Sequence, residues 1–309
     1  MNKLWTLVTI IILLLIFIGY MVFDLVLRKE DVQTVTADKS DSLIPDHWVV
    51  DKVIDVERGK LKCVTVSKDG NIILGGENYI RYYNPGFVLK WETETEPAIT
   101  AVAVFSDKLY AAVNNSVNVF NLKGEKVSEW GPYEEKSIIT SLSVNDKYIA
   151  FADAAQKTVF ILDTGGEVKH IIGRSDEPFI VPSPYFDVAL GSDNTLFIAN
   201  TGKLRIEHRT IDGTLIDYYG EAGLAPEAFC GCCNPAHFAL MPEGFVTAEK
   251  GVNRIKILDS KGEFVEFVSS LNDFLPPIPL DIAVSADGNT IFGANPADSK
   301  LYSFKRKNR

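Results

Sequence analysis

The sequence predicts an all-β fold, a six-bladed β-propeller, preceded by a single N-terminal transmembrane helix. Three observations lead to this prediction: an uncharged apolar run near the N-terminus, a strand-turn-strand unit that recurs about every 40 residues, and a composition typical of a large folded domain. The chain has 309 residues, of which 46% are hydrophobic and 23% charged, with four Cys. A chain of this size buries enough apolar surface to fold without disulfide or metal crosslinks.

The predicted transmembrane helix comes first. Residues 4–23 carry no charged side chain, and a helix of about 20 residues is about 30 Å long, the thickness of a bilayer core. Trp5 and Tyr20 stand near its two ends, where amphipathic rings favour the membrane interfaces. A cleavable signal peptide has a shorter apolar region and a small-x-small cleavage site, which residues 19–21 do not supply. We therefore expect an uncleaved signal-anchor helix over residues 1–27.

A polar tether is expected to follow the anchor. Residues 28–46 are polar, without aromatic residues or clear periodicity, which is typical of a flexible linker. Lys3 precedes the apolar run while Arg28 and Lys29 follow it, so the positive-inside count is nearly balanced. The very short N-terminus favours a folded domain outside the cytoplasm. We expect a single-pass protein of the cell membrane with a periplasmic or extracellular propeller over residues 47–309.

Six copies of one unit fill the rest of the chain. Each copy contains a short apolar strand, a turn with Asp or Glu, a second strand ending in small residues, a third strand, a Gly turn and a fourth strand. The acidic turn residues are 38, 39, 47, 50 and 44 positions apart. They are Asp69, Asp107, Asp146, Asp193, Glu243 and Asp287. Short runs rich in Val, Ile, Phe and Tyr exclude helical solenoids, and this period is typical of propeller blades.

The two ends of the chain are predicted to share one blade. The sixth copy ends after its third strand, at the residues LYSFKR. Residues 48–56, with the sequence WVVDKVIDV, can supply the missing outer strand. This exchange would join the first and last blades and leave no open sheet edge in the ring.

The stretch from Tyr218 to Phe267 resembles an NHL repeat. It has a Gly-rich lead-in, a Phe and a Pro, an apolar strand, a Pro-x-Gly turn, the triplet Asn253-Arg254-Ile255 and a Gly turn. The copy before it matches in part, and the other copies match only in spacing and strand pattern. The resemblance implies a propeller in which Arg254 packs between blades. Folds of this kind include lyases, lactonases, binding scaffolds and receptor modules, so the resemblance assigns no chemistry.

Two connections between copies are longer than the others, and long loops in compact domains are usually functional. They cover residues 173–187 and 220–238, and both are expected on the same propeller face. The second connection holds three of the four cysteines and a histidine. These residues are Cys230, Cys232, Cys233 and His237. Thiolate and imidazole ligands suit Zn, Cu, Fe or an Fe–S centre, although the spacing matches neither Cys-x-x-Cys nor a c-type haem site.

Alignment of the copies on their acidic turn residues predicts a polar ring at the propeller axis. Six positions earlier, at the start of each innermost strand, the residues are Cys63, Ala101, Thr140, Asp187, His237 and Asp281. Four of these can bind a metal or a proton, and the fourth cysteine shares the ring with the histidine. The predicted metal or redox site therefore has Cys63, Asp187, His237 and Asp281 around the axis. The loop with Cys230, Cys232 and Cys233 would cover it.

Simpler roles compete with this prediction. Outside the cytoplasm, four cysteines commonly pair into disulfides, and one of the three possible pairings would join the neighbours Cys232 and Cys233. Asp187 and Asp281 stand at strand starts, where carboxylates often accept hydrogen bonds from backbone N–H groups. Both alternatives stay open from the sequence.

Three functions are compatible with these features. The first is electron transfer or metal handling at the Cys/His site. The second is a lyase or lactonase in which axial carboxylates and His237 hold a divalent ion that activates water or a carbonyl. The third is a non-catalytic scaffold that docks a protein of a membrane complex. The net charge of −10, from 31 basic and 41 acidic residues, argues against a nucleic-acid partner.

Overall fold

A computed structural model of the protein describes Trp5 and residues 11–21, 47–174, 178–251, 254–269 and 279–307. Trp5 and residues 11–21 are helical, and the second stretch is about 16 Å long. Among the described residues, no helix is both long enough and apolar enough to cross a membrane. Much of the predicted anchor over residues 1–27, and all of the tether over residues 28–46, lie outside the described residues.

The chain divides into two units, Met1–Thr36 and Ala37–Arg309. In the second unit the described residues form six four-stranded antiparallel sheets, so the prediction of an all-β, six-bladed propeller is confirmed. The strands are β1 Trp48–Asp55, β2 Leu61–Val66, β3 Ile72–Gly76, β4 Tyr79–Tyr83, β5 Leu89–Glu94, β6 Ile99–Phe105, β7 Lys108–Val113, β8 Ser116–Asn121, β9 Lys126–Trp130, β10 Ile139–Val144, β11 Tyr148–Asp153, β12 Thr158–Asp163, β13 Val168–Ile172, β14 Val188–Leu190, β15 Leu196–Asn200, β16 Arg205–Arg209, β17 Leu215–Tyr219, β18 His237–Met241, β19 Gly244–Glu249, β20 Arg254–Asp259, β21 Phe264–Ser269, β22 Asp281–Val284, β23 Thr290–Asn295 and β24 Lys300–Arg306.

Each blade runs from an innermost to an outermost strand. Blades one to five contain β2 to β5, β6 to β9, β10 to β13, β14 to β17 and β18 to β21, and blade six contains β22 to β24 with β1. The middle strands are buried on both faces, as in β12, where Thr158–Leu162 are all buried. Most outermost strands are largely exposed, as in β13, whereas β21 is buried over residues 266–269. Most middle strands are therefore largely apolar, because a neighbouring blade covers each of their two faces, whereas β16 and β20 also carry charged side chains.

Apolar side chains of adjacent blades pack together around the whole ring. Each of six buried clusters combines residues of two neighbouring blades. The cluster between blades six and one, for example, joins Phe292 and Leu301 to Leu61 and Tyr79. Since burial of apolar surface is the main favourable term in folding, each blade is stabilised mainly by its two neighbours.

The ring closes through β1, as the sequence predicts. This strand pairs antiparallel with β24, and Trp48 lies opposite Arg306. The Trp48 ring is 2% exposed, and its Nε1 donates to Glu266 Oε1 of blade five at 3.1 Å. Arg306 Nη2 lies 2.7 Å from the same carboxylate oxygen, with its guanidinium over the Trp48 ring. The closing strand is thus fixed to two blades at once.

We expect Trp48→Ala to lower the free energy of unfolding by about 3–5 kcal/mol, because it empties a buried site of indole size and leaves Glu266 without one donor. Chemical denaturation of the purified protein measures this change. Val49→Ala, in the same strand with a side chain 45% exposed, is the matched control and should change stability by less than about 0.5 kcal/mol. Equal losses in the two variants would contradict a closing role for Trp48.

Candidate functional site

The starts of the six innermost strands surround an axial cavity of about 240 Å³. Each residue of this ring faces a Gly or Ala of the second strand, and the pairs are Cys63 with Gly75, Ala101 with Ala112, Ser141 with Ala152, Asp187 with Ala199, His237 with Ala248 and Asp281 with Ala294. The predicted ring is correct at five positions. Blade three contributes Ser141 instead of Thr140, because its ring residue precedes the acidic turn residue Asp146 by five positions and not by six.

The two ring carboxylates join neighbouring blades. Asp281 Oδ2 accepts the Val64 N–H of blade one at 2.7 Å, and Asp187 Oδ2 accepts the Phe238 N–H of blade five at 2.9 Å. Asp187 Oδ1 also accepts the Ser141 hydroxyl of blade three. The backbone contacts expected of carboxylates at strand starts are therefore present, and they orient both side chains toward the axis.

His237 lies between these two carboxylates. Its Nδ1 is 3.6 Å from Asp187 Oδ2 and 3.5 Å from Asp281 Oδ1, and its side chain is 15% exposed. Within the described part of the chain this buried nitrogen has no partner at hydrogen-bond distance. Burial lowers the pKa of His237, but the two carboxylates outweigh it and the net pKa is raised above 6.5. Nδ1 is therefore a buried, protonatable atom between two carboxylates.

Asp281 has an unusual protonation equilibrium. Burial, assisted by repulsion from Asp187, raises its pKa to about 6, against the opposing effects of His237 and the Val64 N–H. A carboxyl group with a pKa raised to about 6 and an imidazole with a raised pKa are therefore adjacent in the axial cavity. This combination is typical of sites that transfer protons.

Cys63 lines the same cavity, but its thiol is protected. Its side chain is 3% exposed and packs in the cluster between blades one and two. Burial, with a further contribution from Asp281, raises the pKa of Cys63 well above its usual range. A side chain at Gly75 would approach Cys63 Sγ to 2.5 Å. The thiol therefore fills a closely packed position in the neutral form.

The loop cysteines form a separate group. Cys230 is buried beside an ionic cluster of Glu249, Arg254 and Lys256. Its pKa is raised by burial and by Glu249. Cys232 is exposed and Cys233 is buried, and their sulfur atoms are 3.0 Å apart. No disulfide joins any of the four cysteines in the structure.

The buried ionic cluster was not predicted from the sequence. Arg254 makes two hydrogen bonds to Glu249, of 2.8 and 3.0 Å, and Lys256 Nζ lies 3.2 Å from Glu249 Oε1. Lys256 also donates to the Ala228 carbonyl at 2.6 Å, and burial lowers its pKa to about 8. In the sequence, charged residues stand at alternating positions of β20, where an apolar blade face would be expected, and this pattern could have indicated the cluster. Their contacts fix the start of the cysteine loop.

Both long connections lie at the same end of the propeller, as predicted. The Tyr185 ring of the first contacts the His237 ring edge-on at 5.8 Å, and Lys250 Nζ lies 5.2 Å above Tyr185. Asn234 of the second connection bonds to the backbone N–H and carbonyl of Lys250 at 2.7 and 3.0 Å. Tyr185 and Lys250 thus link the axial ring to the cysteine loop.

The structure therefore gathers four of the seven predicted ligands, Cys63, Asp187, His237 and Asp281, around one cavity, with Cys230, Cys232 and Cys233 in the neighbouring loop. In the ranges that the structure describes, no group of three or more His, Cys, Asp or Glu side chains is arranged to hold a metal ion. Metal binding by these residues stays a prediction.

Comparison with known proteins supports the fold. A family model for the CPSF A subunit region matches residues 55–163, less than half of the chain. No curated protein sequence matches significantly. The resemblance of residues 218–267 to an NHL repeat falls on a different part of the chain and stays a prediction, and Asn253 lies outside the described residues.

Several solved propellers are similar to the chain. A streptogramin B lyase is 16% identical with a TM-score of 0.59, over 84% of this chain and 97% of that chain. A catalytically inactive virginiamycin B lyase from Staphylococcus aureus, with quinupristin, is 16% identical with a TM-score of 0.56, over 82% of each chain. The WD40 domain of Neurospora crassa Pan2 is 11% identical with a TM-score of 0.58, over 86% of this chain and 98% of that chain. At these identities the likeness shows the fold alone.

We expect Asp281→Asn to lower the pKa of His237, because it removes a negative charge 3.5 Å from Nδ1. In the native protein the raised pKa stabilises the fold fully below pH 6.5, and this contribution is lost as the pH rises through the folded-state pKa. An NMR titration of the imidazole, assigned with His237→Gln, measures the shift. Asp287→Asn, in an exposed turn of the same blade, is the control. An unchanged His237 titration in Asp281→Asn would contradict the assigned charge coupling.

Proposed function

We propose that the chain is a membrane-tethered, extracytoplasmic propeller whose axial cluster of Asp187, His237 and Asp281 binds a small polar substrate and transfers protons to and from it. The reaction class is that of a lyase or lactonase. The observation that carries this proposal is the buried Nδ1 of His237, which lies between two carboxylates of other blades and has no hydrogen-bond partner among the described residues.

The protonation equilibria support this chemistry. General acid–base catalysis is most effective when the pKa of the catalytic group lies near the working pH. The pKa of Asp281 is raised to about 6, and that of His237 is raised above its ordinary value. Asp281 acts as the base that removes a proton from a carbon beside a carbonyl or from water. Protonated His237 donates to the leaving oxygen, and Asp187 orients the imidazole.

The solved relatives support the class by analogy. Streptogramin B lyase and virginiamycin B lyase share the propeller fold with this chain. The virginiamycin B lyase structure is of a variant that is catalytically inactive after a His is replaced by Ala. A fold hosts many chemistries, so the analogy adds to the proposed role of His237 and does not replace the geometric support.

A metal or redox centre is the second candidate function. The separations of 3.5 and 3.6 Å between Nδ1 and the carboxylate oxygens are close to the roughly 3.4 Å between two ligands of a tetrahedral ion with bonds of about 2.1 Å. Zn suits this imidazole and carboxylate set, whereas Cu, Fe or an Fe–S centre would also use the thiols. Because no described group of three such side chains is arranged for a metal, we derive no reaction step through one.

A panel of lactones and cyclic depsipeptides, incubated with the purified full-length protein, tests the proposal. We expect His237→Gln and Asp281→Asn to reduce turnover at least about 100-fold, the usual contribution of a general acid or base. Asp287→Asn should keep it.

Chelation distinguishes the two candidates. Turnover that survives chelation supports proton transfer by the side chains alone, and turnover restored only by Zn, Cu or Fe supports the metal centre. A panel that is not turned over, or is turned over equally by His237→Gln, would contradict the proposed enzyme and favour a scaffold that docks a protein of a membrane complex.

The proposal includes the anchor over residues 1–27 and the tether over residues 28–46. The support is the uncharged run of residues 4–23, long enough as a helix to span a bilayer core. We expect the full chain to stay in the membrane fraction after an alkaline carbonate wash. Protease added outside intact spheroplasts should digest the propeller. Leu14→Arg should weaken retention, because a charge near the bilayer centre costs about 2.5–3.5 kcal/mol. Recovery of the full chain in the soluble fraction would contradict anchoring.

A further inference from the structure

The proposed acid–base reaction leaves Cys232 and Cys233 without a role. These neighbouring residues bring their sulfur atoms to 3.0 Å, about 1 Å more than the length of a disulfide bond. Gly231 precedes them with φ of 77°, a left-handed conformation that favours glycine. This turn lets Cys230 lie buried while Cys232 is exposed. The chain conformation therefore already places two thiols within reach of each other.

The surroundings give the two thiols different roles. Cys232 is exposed and therefore accessible to a dissolved reagent, while Cys233 is buried behind it. Burial and the adjacent Cys232 raise the pKa of Cys233, against smaller opposing effects of Ser183 and Lys250. An accessible sulfur backed by a shielded one is the arrangement of an attacking and a resolving thiol.

The loop is held in place on both sides of the pair. Asn234 donates to the Cys230 carbonyl at 2.6 Å and makes two hydrogen bonds to the Lys250 backbone. Lys256 fixes the Ala228 carbonyl and lies over the Phe229 ring. Because these contacts are buried, the two sulfur atoms stay close without a large loss of chain entropy when a bond forms.

We propose that Cys232 and Cys233, in the loop before β18, are a reversible dithiol–disulfide couple that exchanges electrons with an external thiol or disulfide compound. The Cys232 thiolate attacks the disulfide of the oxidant, forms a mixed disulfide and releases one thiol. The Cys233 thiolate then attacks the Cys232 sulfur and releases the second thiol. The protein gains one S–S bond and loses two protons and two electrons, and the oxidant becomes two thiols. A reducing thiol reverses both steps.

A chain of side-chain contacts connects the two thiols to His237 of the axial site. Cys233 neighbours Lys250, which contacts Tyr185, and Tyr185 contacts His237. The proposal itself does not depend on catalysis by His237, since thiol exchange needs only the two sulfurs and an external thiol or disulfide. If His237 and Asp281 prove not to be catalytic, the thiol couple could still form. If the thiol couple does not form, the acid–base proposal is unaffected.

Equilibration of the full-length protein with mixtures of reduced and oxidised glutathione tests the couple. After acid quenching and alkylation with N-ethylmaleimide, mass spectrometry counts the free thiols in the peptide that contains the loop. We expect two thiols to disappear together in one two-electron transition and to return in excess reduced glutathione. In Cys233→Ser, a stable mixed disulfide with glutathione should accumulate on Cys232, because the resolving thiol is missing.

Two variants are matched controls. Cys230→Ser and Cys63→Ser should keep the two-electron transition unchanged, and circular dichroism shows that each variant is folded. Full alkylation of Cys232 and Cys233 at every glutathione ratio in the folded protein would overturn the proposal. Loss of the transition in folded Cys230→Ser would do so as well, because it would assign the bond to a different pair.

Discussion

The burial of each blade by its two neighbours is the constraint on which the rest of the structure depends. A four-stranded sheet with two apolar faces is unstable in water, and a ring of six covers all twelve faces without a free end. The buried clusters between blades, including the one between blades six and one, show this closure in the side chains. Because the ring fixes the position of every innermost strand, six residues distant in sequence are held around one axis.

The same contacts that join the blades also define the chemistry at the axis. Asp187 and Asp281 each use one carboxylate oxygen to bind the backbone of the next blade, and each directs a carboxylate toward His237. A purely structural role would be complete with the backbone contacts. The imidazole lies between the carboxylates, and its Nδ1 has no hydrogen-bond partner among the described residues; the proposed proton transfer depends on this arrangement.

The fold could be predicted because the same strand pattern recurs in each blade. The site could be predicted only in part, because several of its residues lie in segments that do not repeat. Spacing of the acidic turns was sufficient for six blades and for the closing strand. It placed Asp187, His237 and Asp281 in one ring, because each precedes the acidic turn residue of its blade by six positions, and it failed in blade three, where Ser141 precedes Asp146 by five. The separation of Cys230, Cys232 and Cys233 from the ring was not predictable, since a long connection has no periodicity to fix its path. The partners of Arg254 and Lys256 likewise depend on which side chains a neighbouring loop brings inward.

The strand exchange that closes the ring determines where a pulling force on the N-terminus would act. In a chain anchored through its N-terminus, the tether ends at residue 46 and the closing strand begins at Trp48. If the chain is anchored as proposed, tension on its N-terminus would act on the β1 hydrogen bonds with β24 and on the Trp48, Glu266 and Arg306 contacts. The closing strand would then also be the point where this force enters the ring, and detachment of β1 would remove the strand exchange that joins blades six and one.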